Sequence, residues 1–466
     1  MKDQQNTDPP VGLFEPAVIG TGVSRTSQII FVLLCSIAAI TTVLFGGVDN
    51  GTWVLITALA GSICMCWLAD AWRGRAFLIN RNTVLLPMIG LIAIGLVQLV
   101  PLFGADIQAG LTGSATSSPI SLDPYSTRLF LVRLVVFTLF FAAALTFINS
   151  EKRLRTIAGF ITLFGALMAF FGILQRLVNP DGIYGIRGTP QAIPFGSFVN
   201  QHHFAAFMVM CSGVTLGSLF GRDTTRERRL LLLVAAVLMG MATLMTSSRG
   251  GLIALVAVVG YVVVATMFVN DGDNSDDRQA AARRRGRLIA VCGAAFLLVV
   301  FGSVLFLGES NSLIRGIGLV DQADLSNGRS HFWSIAVRIF FDHPIAGAGL
   351  DAFGVAFTRY DTWPGVFRVE QAHNDYLQIL ADAGILGLGC VIVFIYQLFA
   401  KGWAIVKQSR SSYRRTLAIG AMAGCFGILV HSFFDFPLRT PSNAFIFLLL
   451  AALAIVDVKM RRTSEH

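Results

Sequence analysis

Long apolar runs alternate with short polar breaks along the whole chain, and nearly every run approaches or exceeds the roughly 20 residues that a helix needs to cross a bilayer. The runs lie near 28–47, 52–69, 85–103, 128–149, 156–175, 202–220, 230–247, 250–269, 288–307, 379–399, 415–434 and 442–458. No strand-like alternation of any length interrupts them. The pattern predicts an all-α polytopic membrane protein with about 12 transmembrane helices. The breaks are unequal. Those between runs one and two and between seven and eight are short enough to force hairpins, the latter reading SSRGG over Ser247–Gly251. The break at 308–378, between spans nine and ten, is too long for a bare connector and predicts a large external loop with structure of its own. Within it, Asn327 can cap a helix through GRSHFWSIAVRIFF that ends at Pro344 and the glycines of HPIAGAGL. Phe332, Trp333, Ile335, Ala336, Ile339 and Phe340 recur there at helical spacing, as a helix lying on the membrane surface would require.

Composition agrees: 55% of residues are hydrophobic and 14% charged, which excludes an ordinary soluble protein. Charge then orients the spans. With both termini cytoplasmic, the inner side holds 25 of the 36 Lys and Arg against 13 of the 27 acidic residues, a net +12. The outer side is left at −3, so the total of +9 reflects topology and does not point to nucleic acid. The 27 mixed residues before the first run, with no small-residue cleavage site after it, read as a cytoplasmic tail and an anchor rather than a cleavable leader. The seven Cys fall inside spans at no metal-ligand spacing and read as packing residues. The gap DGDNSDDRQAAARRRGR resembles a calcium loop only in its first residues and reads as a solvated cytoplasmic loop.

Charges at mid-membrane depth are nearly absent. Arg133, Asp382 and Asp435, like Arg249 and Arg439, fall within a turn or two of the outer face. That argues for a site at the outer surface and against the charged path of a coupled transporter. The stretch QAHNDYLQILADAGILGLG, Gln371–Gly389, runs a polar cluster into a membrane helix. His373 is a candidate proton-transfer group, although a histidine at a helix start more often serves as a hydrogen-bonding residue. Asn374 and Tyr376 accompany it as possible substrate contacts, Asn374 or Asp375 can equally cap the helix, and Gly384 and Gly387 mark a place where another helix can approach closely. Arg249, at the tip of a hairpin where positive-inside bias disfavours it, offers a planar pair of donors for phosphate. Arg329 and Arg338 are further loop cations for which solvation competes with binding, and Asn200 and His203 in FVNQHHF can line the same outer cavity or simply pack at the interface. With no metal cluster on the outer side, no cofactor is expected and the default is a metal-independent mechanism.

The pattern H-N-x9-G-x-x-G at His373, Asn374, Gly384 and Gly387 resembles that of the bacterial O-antigen ligases and related polysaccharide polymerases. Ser248-Arg249-Gly250 looks like that superfamily's hairpin arginine motif, and NGRSHFWSIAVRIFFDHPIAGAGLDAF like its external-loop segment; GSFVNQHHFA and HSFFDFPLRTPSN resemble flanking motifs. On this resemblance the chain divides into a tail (1–27), N-terminal helices (28–229), an O-antigen ligase-related core (230–399, with the loop 308–378) and C-terminal helices with a cytoplasmic tail (400–466). It implies a C-type glycosyltransferase-like fold in the bacterial inner membrane, with its site facing the periplasm. Such an enzyme moves a glycan from undecaprenyl pyrophosphate to a hydroxyl on lipid A-core (ligase) or on a growing glycan (polymerase). It further implies pyrophosphate binding by Arg249 and Arg329 and catalysis by His373, as base or as an imidazolium that binds the pyrophosphate. A lipid or glycan transporter is the reading from another class.

Overall fold

The computed structural model describes residues 24–75, 77–103, 118–179, 182–189, 192–221, 224–267, 328–362 and 368–458, with scattered positions between 287 and 298. Thirteen helices are used below: α1 (Arg25–Val43), α2 (Asn50–Gly74), α3 (Leu86–Gln98), α4 (Pro124–Phe147), α5 (Glu151–Val178), α6 (Gln201–Leu219), α7 (Arg226–Met245), α8 (Arg249–Met267), α9 (Arg329–Asp342), α10 (Phe353–Phe357), α11 (Asp375–Gln408), α12 (Ser412–His431) and α13 (Pro441–Ile455). Two minimal antiparallel ladders, Pro101–Phe103 with Ser118–Pro119 and Gly182–Ile183 with Arg187–Gly188, are the only strands among the described residues.

Eight of these helices are long and apolar enough to cross a membrane, and α13 and the stretch Thr83–Gln98 are shorter apolar helices. The chain is thus a helical membrane protein. Eleven of the twelve expected runs coincide with described helices, while most of the ninth, near 288–307, lies outside the described residues. The acidic-basic gap before it, Asn327 and the loop residues 308–327 and 363–367 lie outside them too.

Starts of the helices follow local chemistry. Ser24, Asp123, Ser150, Asn200, Asn374 and Ser411 each accept a hydrogen bond from a backbone N–H of the first turn, so donors that a helix cannot satisfy itself are taken up before the chain enters an apolar medium. At the centre is α6, buried over 94% of its apolar window where α2 is buried over 28%. Hydrophobicity does not explain this, since lipid is as apolar as a neighbouring helix. Small residues do. Gly213 and Gly217 of α6 face Gly420 and Gly424 of α12, and a Cβ on Gly217 would stand 2.5 Å from the Gly420 Cα.

Within the long break at 308–378, the described residues form α9 over Arg329–Asp342, which starts after Gly328 and ends just before Pro344. Its apolar face does not lie on a membrane surface. Ile335, Ala336 and Ile339 are buried against Phe353, Ala356 and Phe357 around α10 and against Ala372 and Ala381 at the start of α11. Periodicity marks the face but cannot name its partner.

Candidate active site

The site is assembled where α6, α8 and α11 begin and α12 ends. Helix α11 opens on Asn374, whose Oδ1 accepts from the N–H groups of Tyr376 (3.0 Å) and Leu377 (3.1 Å) while its Nδ2 donates to the Phe433 carbonyl at 3.2 Å. Asn374 is thereby a cap and a strap to the segment after α12. Tyr376 ties down the last turn of α12 itself, its hydroxyl donating to the Leu429 carbonyl at 2.8 Å. Both residues singled out as possible substrate contacts have those groups engaged within the protein.

His373, immediately before the cap, has a left-handed backbone with φ 51°, a conformation costly for a non-glycine residue and held here by its surroundings. Its Nδ1 lies 3.1 Å from Asp435 Oδ1. An ionised carboxylate can only accept, so Nδ1 donates and the neutral ring keeps its Nε2 lone pair for something else. Phe332 of α9 stacks on the imidazole with centroids 6.0 Å apart, and Phe436 meets it edge-on at 4.8 Å. The histidine side chain remains 32% exposed and Asp435 only 1%. Burial by itself pushes the Asp435 carboxyl up. The hydrogen bond from His373 and the fields of His203 and His202 outweigh this and hold it well below the usual carboxylate range.

The two expected arginines begin α8 and α9, the elements that neighbour this pair. Arg249 is the first residue of α8 and half-buried, and its neighbour Gly250 packs so tightly on His431 and Phe434 that a Cβ would come within 2.9 Å of the His431 ring. The hairpin is thus pressed onto the segment that carries Asp435. Arg329 begins α9 one turn before Phe332 and lies within electrostatic reach of His202 and His431. Arg338 does not join them. Nine residues on, it stands half a turn out of phase with Arg329 and is exposed. Asn200 caps α6 by accepting from the His202 N–H at 2.8 Å. His203 is buried, with Nδ1 2.6 Å from Thr440 Oγ1 and its ring against the edge of Phe436 at 4.8 Å, so Phe436 stands between two imidazoles.

The two motif glycines do not receive another helix. At Gly384, φ 62° and ψ −160° break α11, and the turn HPIAGAG docks into the break. Ile385 N–H donates to the Pro344 carbonyl at 2.9 Å, and Ala348 and Gly349 N–H donate to the carbonyls of Ala381 (2.9 Å) and Asp382 (3.0 Å). A Cβ on Gly384 would strike the Ile345 carbonyl, and one on Gly387 would strike the Ala383 side chain of the same helix. Loop backbone, rather than a helix face, is what comes close.

A second cluster lies below the first. Arg439 reaches both Asp351 and the buried Asp382, its Nη2 2.5 Å from Asp382 Oδ2, and its guanidinium lies over the Phe130 ring. Burial would lower the Arg439 pKa, but Asp382 and Asp351 raise it above the ordinary value. Gln98 completes the joint, donating to the Ala346 carbonyl at 2.6 Å and to the Asp382 carbonyl at 2.8 Å while accepting from Leu350 N–H. Neither Asp435 nor Arg439 stood out as a site residue in the sequence. The available signal was their place among the few charges near the outer ends of spans. Among the described residues, no group of three or more His, Cys, Asp or Glu is placed to hold a metal ion.

Residues 234–392 match the family model described as O-antigen ligase, about a third of the chain. The matched stretch includes Arg249, Arg329, His373, Gly384 and Gly387 and stops before Asp435 and Arg439. No curated protein matches the chain. The match and the helical membrane fold agree, and the chain carries, in residues 234–392, a domain of the O-antigen ligase superfamily, a group of glycan-transferring membrane enzymes.

Proposed function

We propose that the site transfers a glycan from undecaprenyl pyrophosphate to an acceptor hydroxyl, with inversion and without a metal ion, and that the protein is an O-antigen ligase using lipid A-core as acceptor. The observation that carries the reading is the His373–Asp435 pair at 3.1 Å, which leaves Nε2 of a partly exposed imidazole as an acceptor. In the step, Nε2 takes the acceptor O–H proton as that oxygen bonds to the anomeric carbon. The bond from the anomeric carbon to pyrophosphate breaks, and the pyrophosphate leaves with the electron pair. Arg249 and Arg329 stabilise the charge that grows on its oxygens. Asn200, His203 and Asn374 act by holding the site's walls, and Gly384 and Gly387 by shaping the break in α11. In this reading the site faces the periplasm from the inner membrane and both termini are cytoplasmic, as the inner excess of Lys and Arg supports.

The test is transfer in vitro by purified protein offered lipid A-core and free lipid-linked glycan as competing acceptors. Glycan attached to lipid A-core is the expected product. Elongated free glycan would replace the ligase reading with a polymerase using the same parts, and no new glycosidic bond at all would sink both.

A further inference from the structure

A cavity of about 370 Å³, lined by Phe436 and His203 but not by His373, opens between α3, α4, α11 and α13. Its depth is apolar, walled by Phe137, Phe394, Phe447 and Leu448, and its polar end carries Arg133, Asp351 and Arg439. The two arginines there are not equally engaged. Arg439 is held by two carboxylates, Asp351 and Asp382. Asp375, at the same end, is taken up by the Ser432 hydroxyl at 2.8 Å and by Leu438 N–H at 3.4 Å. Among the described residues, Arg133 has only Asp351 at 3.7 Å, beyond hydrogen-bond distance, and the face of Trp53 at 5.1 Å, and its side chain stays 29% exposed. It is the tenth residue of α4 and the deeper of that helix's two arginines, after Arg128, near enough to the outer face for a lipid phosphate to meet it.

We propose that this cavity is a binding site for a membrane phospholipid, with one acyl chain in the apolar depth and the phosphodiester on Arg133. Charge selects the occupant. One under-engaged guanidinium matches the single negative charge of a phosphodiester and can meet it with two parallel N–H groups. A pyrophosphate carries more charge, and neither of the arginines proposed for it, Arg249 and Arg329, lines this cavity. The site goes beyond glycan transfer and does not depend on it. Because Gln371, Asp375 and Tyr376 also line the cavity, the lipid packs against the start of the helix that follows His373.

Native mass spectrometry of the purified full chain, released from gently solubilised membranes, tests this without any transfer assay. A phospholipid adduct is expected to survive conditions that strip surface lipid, and to fall about tenfold or more in Arg133→Gln, which loses the charge-assisted contact. Ile395→Trp, which fills the cavity from α11, should remove it as well. Leu91→Trp serves if that variant does not fold. Equal retention by wild type and the variants overturns the proposal by making the lipid merely annular. A polyprenyl diphosphate as the retained species overturns it by giving the cavity to the donor.

Discussion

Two charged clusters flank the start of α11, built from the same kinds of group and differing in what they leave unused. In the upper one, Asp435 fixes one nitrogen of His373, the imidazole is a third exposed, and Oδ2 of Asp435 and Nε2 of His203 are buried without a partner among the described residues. In the lower one, Arg439 is gripped by Asp351 and Asp382 and is only 14% exposed, and the atom left without a partner among the described residues, Asp382 Oδ1, belongs to a fully buried carboxylate that nothing from outside can reach. Spare hydrogen-bonding capacity in a half-open site is what a reaction needs, whereas a closed ion network fixes geometry. The lower cluster joins the loop turn, α11 and the segment after α12, and Arg439 lies only four residues beyond Asp435. It therefore holds the upper cluster in place without touching it.

That division can be broken most sharply at His373. The change His373→Ala is expected to cut glycan transfer by about 10²- to 10⁴-fold while leaving membrane abundance unchanged and costing about 1–3 kcal/mol of stability, because buried Asp435 loses its donor. A variant that kept full activity would remove the histidine from the chemistry. Next, Arg439→Ala should lower stability by about 3–5 kcal/mol, because two carboxylates lose their cation in a buried site. Measured by unfolding in detergent, a loss below about 1 kcal/mol would show that the lower cluster is solvated and not a clamp.

A smaller effect sharpens the upper cluster. Asp435→Asn should reduce transfer by releasing the imidazole tautomer, by no more than the roughly 10²- to 10⁴-fold expected for loss of the imidazole itself. The sign of the pH dependence follows from the depressed pKa. A carboxyl held below its unfolded value adds stability that is present above the ordinary carboxylate range and is lost only as pH falls through the lower folded value. The stability gap between wild type and Asp435→Asn should thus be constant from neutral pH down to about pH 5 and close only under stronger acid. A gap that closed between pH 7 and 5 would contradict the depressed carboxyl. Smallest of all, Tyr376→Phe should cost about 1 kcal/mol of stability by losing its bond to the Leu429 carbonyl, with transfer unchanged. A fall in transfer without a fall in stability would return Tyr376 to the substrate.

How much of this was legible varies with the range of the interaction. Helix positions were readable because each apolar run is a local property, and Asn374 could be suspected as a cap because its partners are two and three residues away. The ending of α9 before Pro344 was readable for the same reason. The pairing of His373 with Asp435 spans 62 positions and no pattern connects them. The role of Gly384 was misleading. A small residue in an apolar helix reads as a contact for another helix, and only φ 62° with the docked HPIAGAG turn shows a broken helix instead. The buried face of α9 failed similarly, since a membrane and a protein surface both accept an apolar stripe.

The sequence by itself determined the class of molecule and the residues available for chemistry. An apolar medium forces every backbone group into a helix, and charges survive only near its edges. Which charges meet, and which keep a free valence, was decided by the tertiary structure alone. A hydrogen bond at 3.1 Å or an ion pair to a buried carboxylate requires side chains from distant segments to be positioned to within about an ångström. That placement comes from glycine-to-glycine contact between α6 and α12 and from a loop turn set into the break of α11.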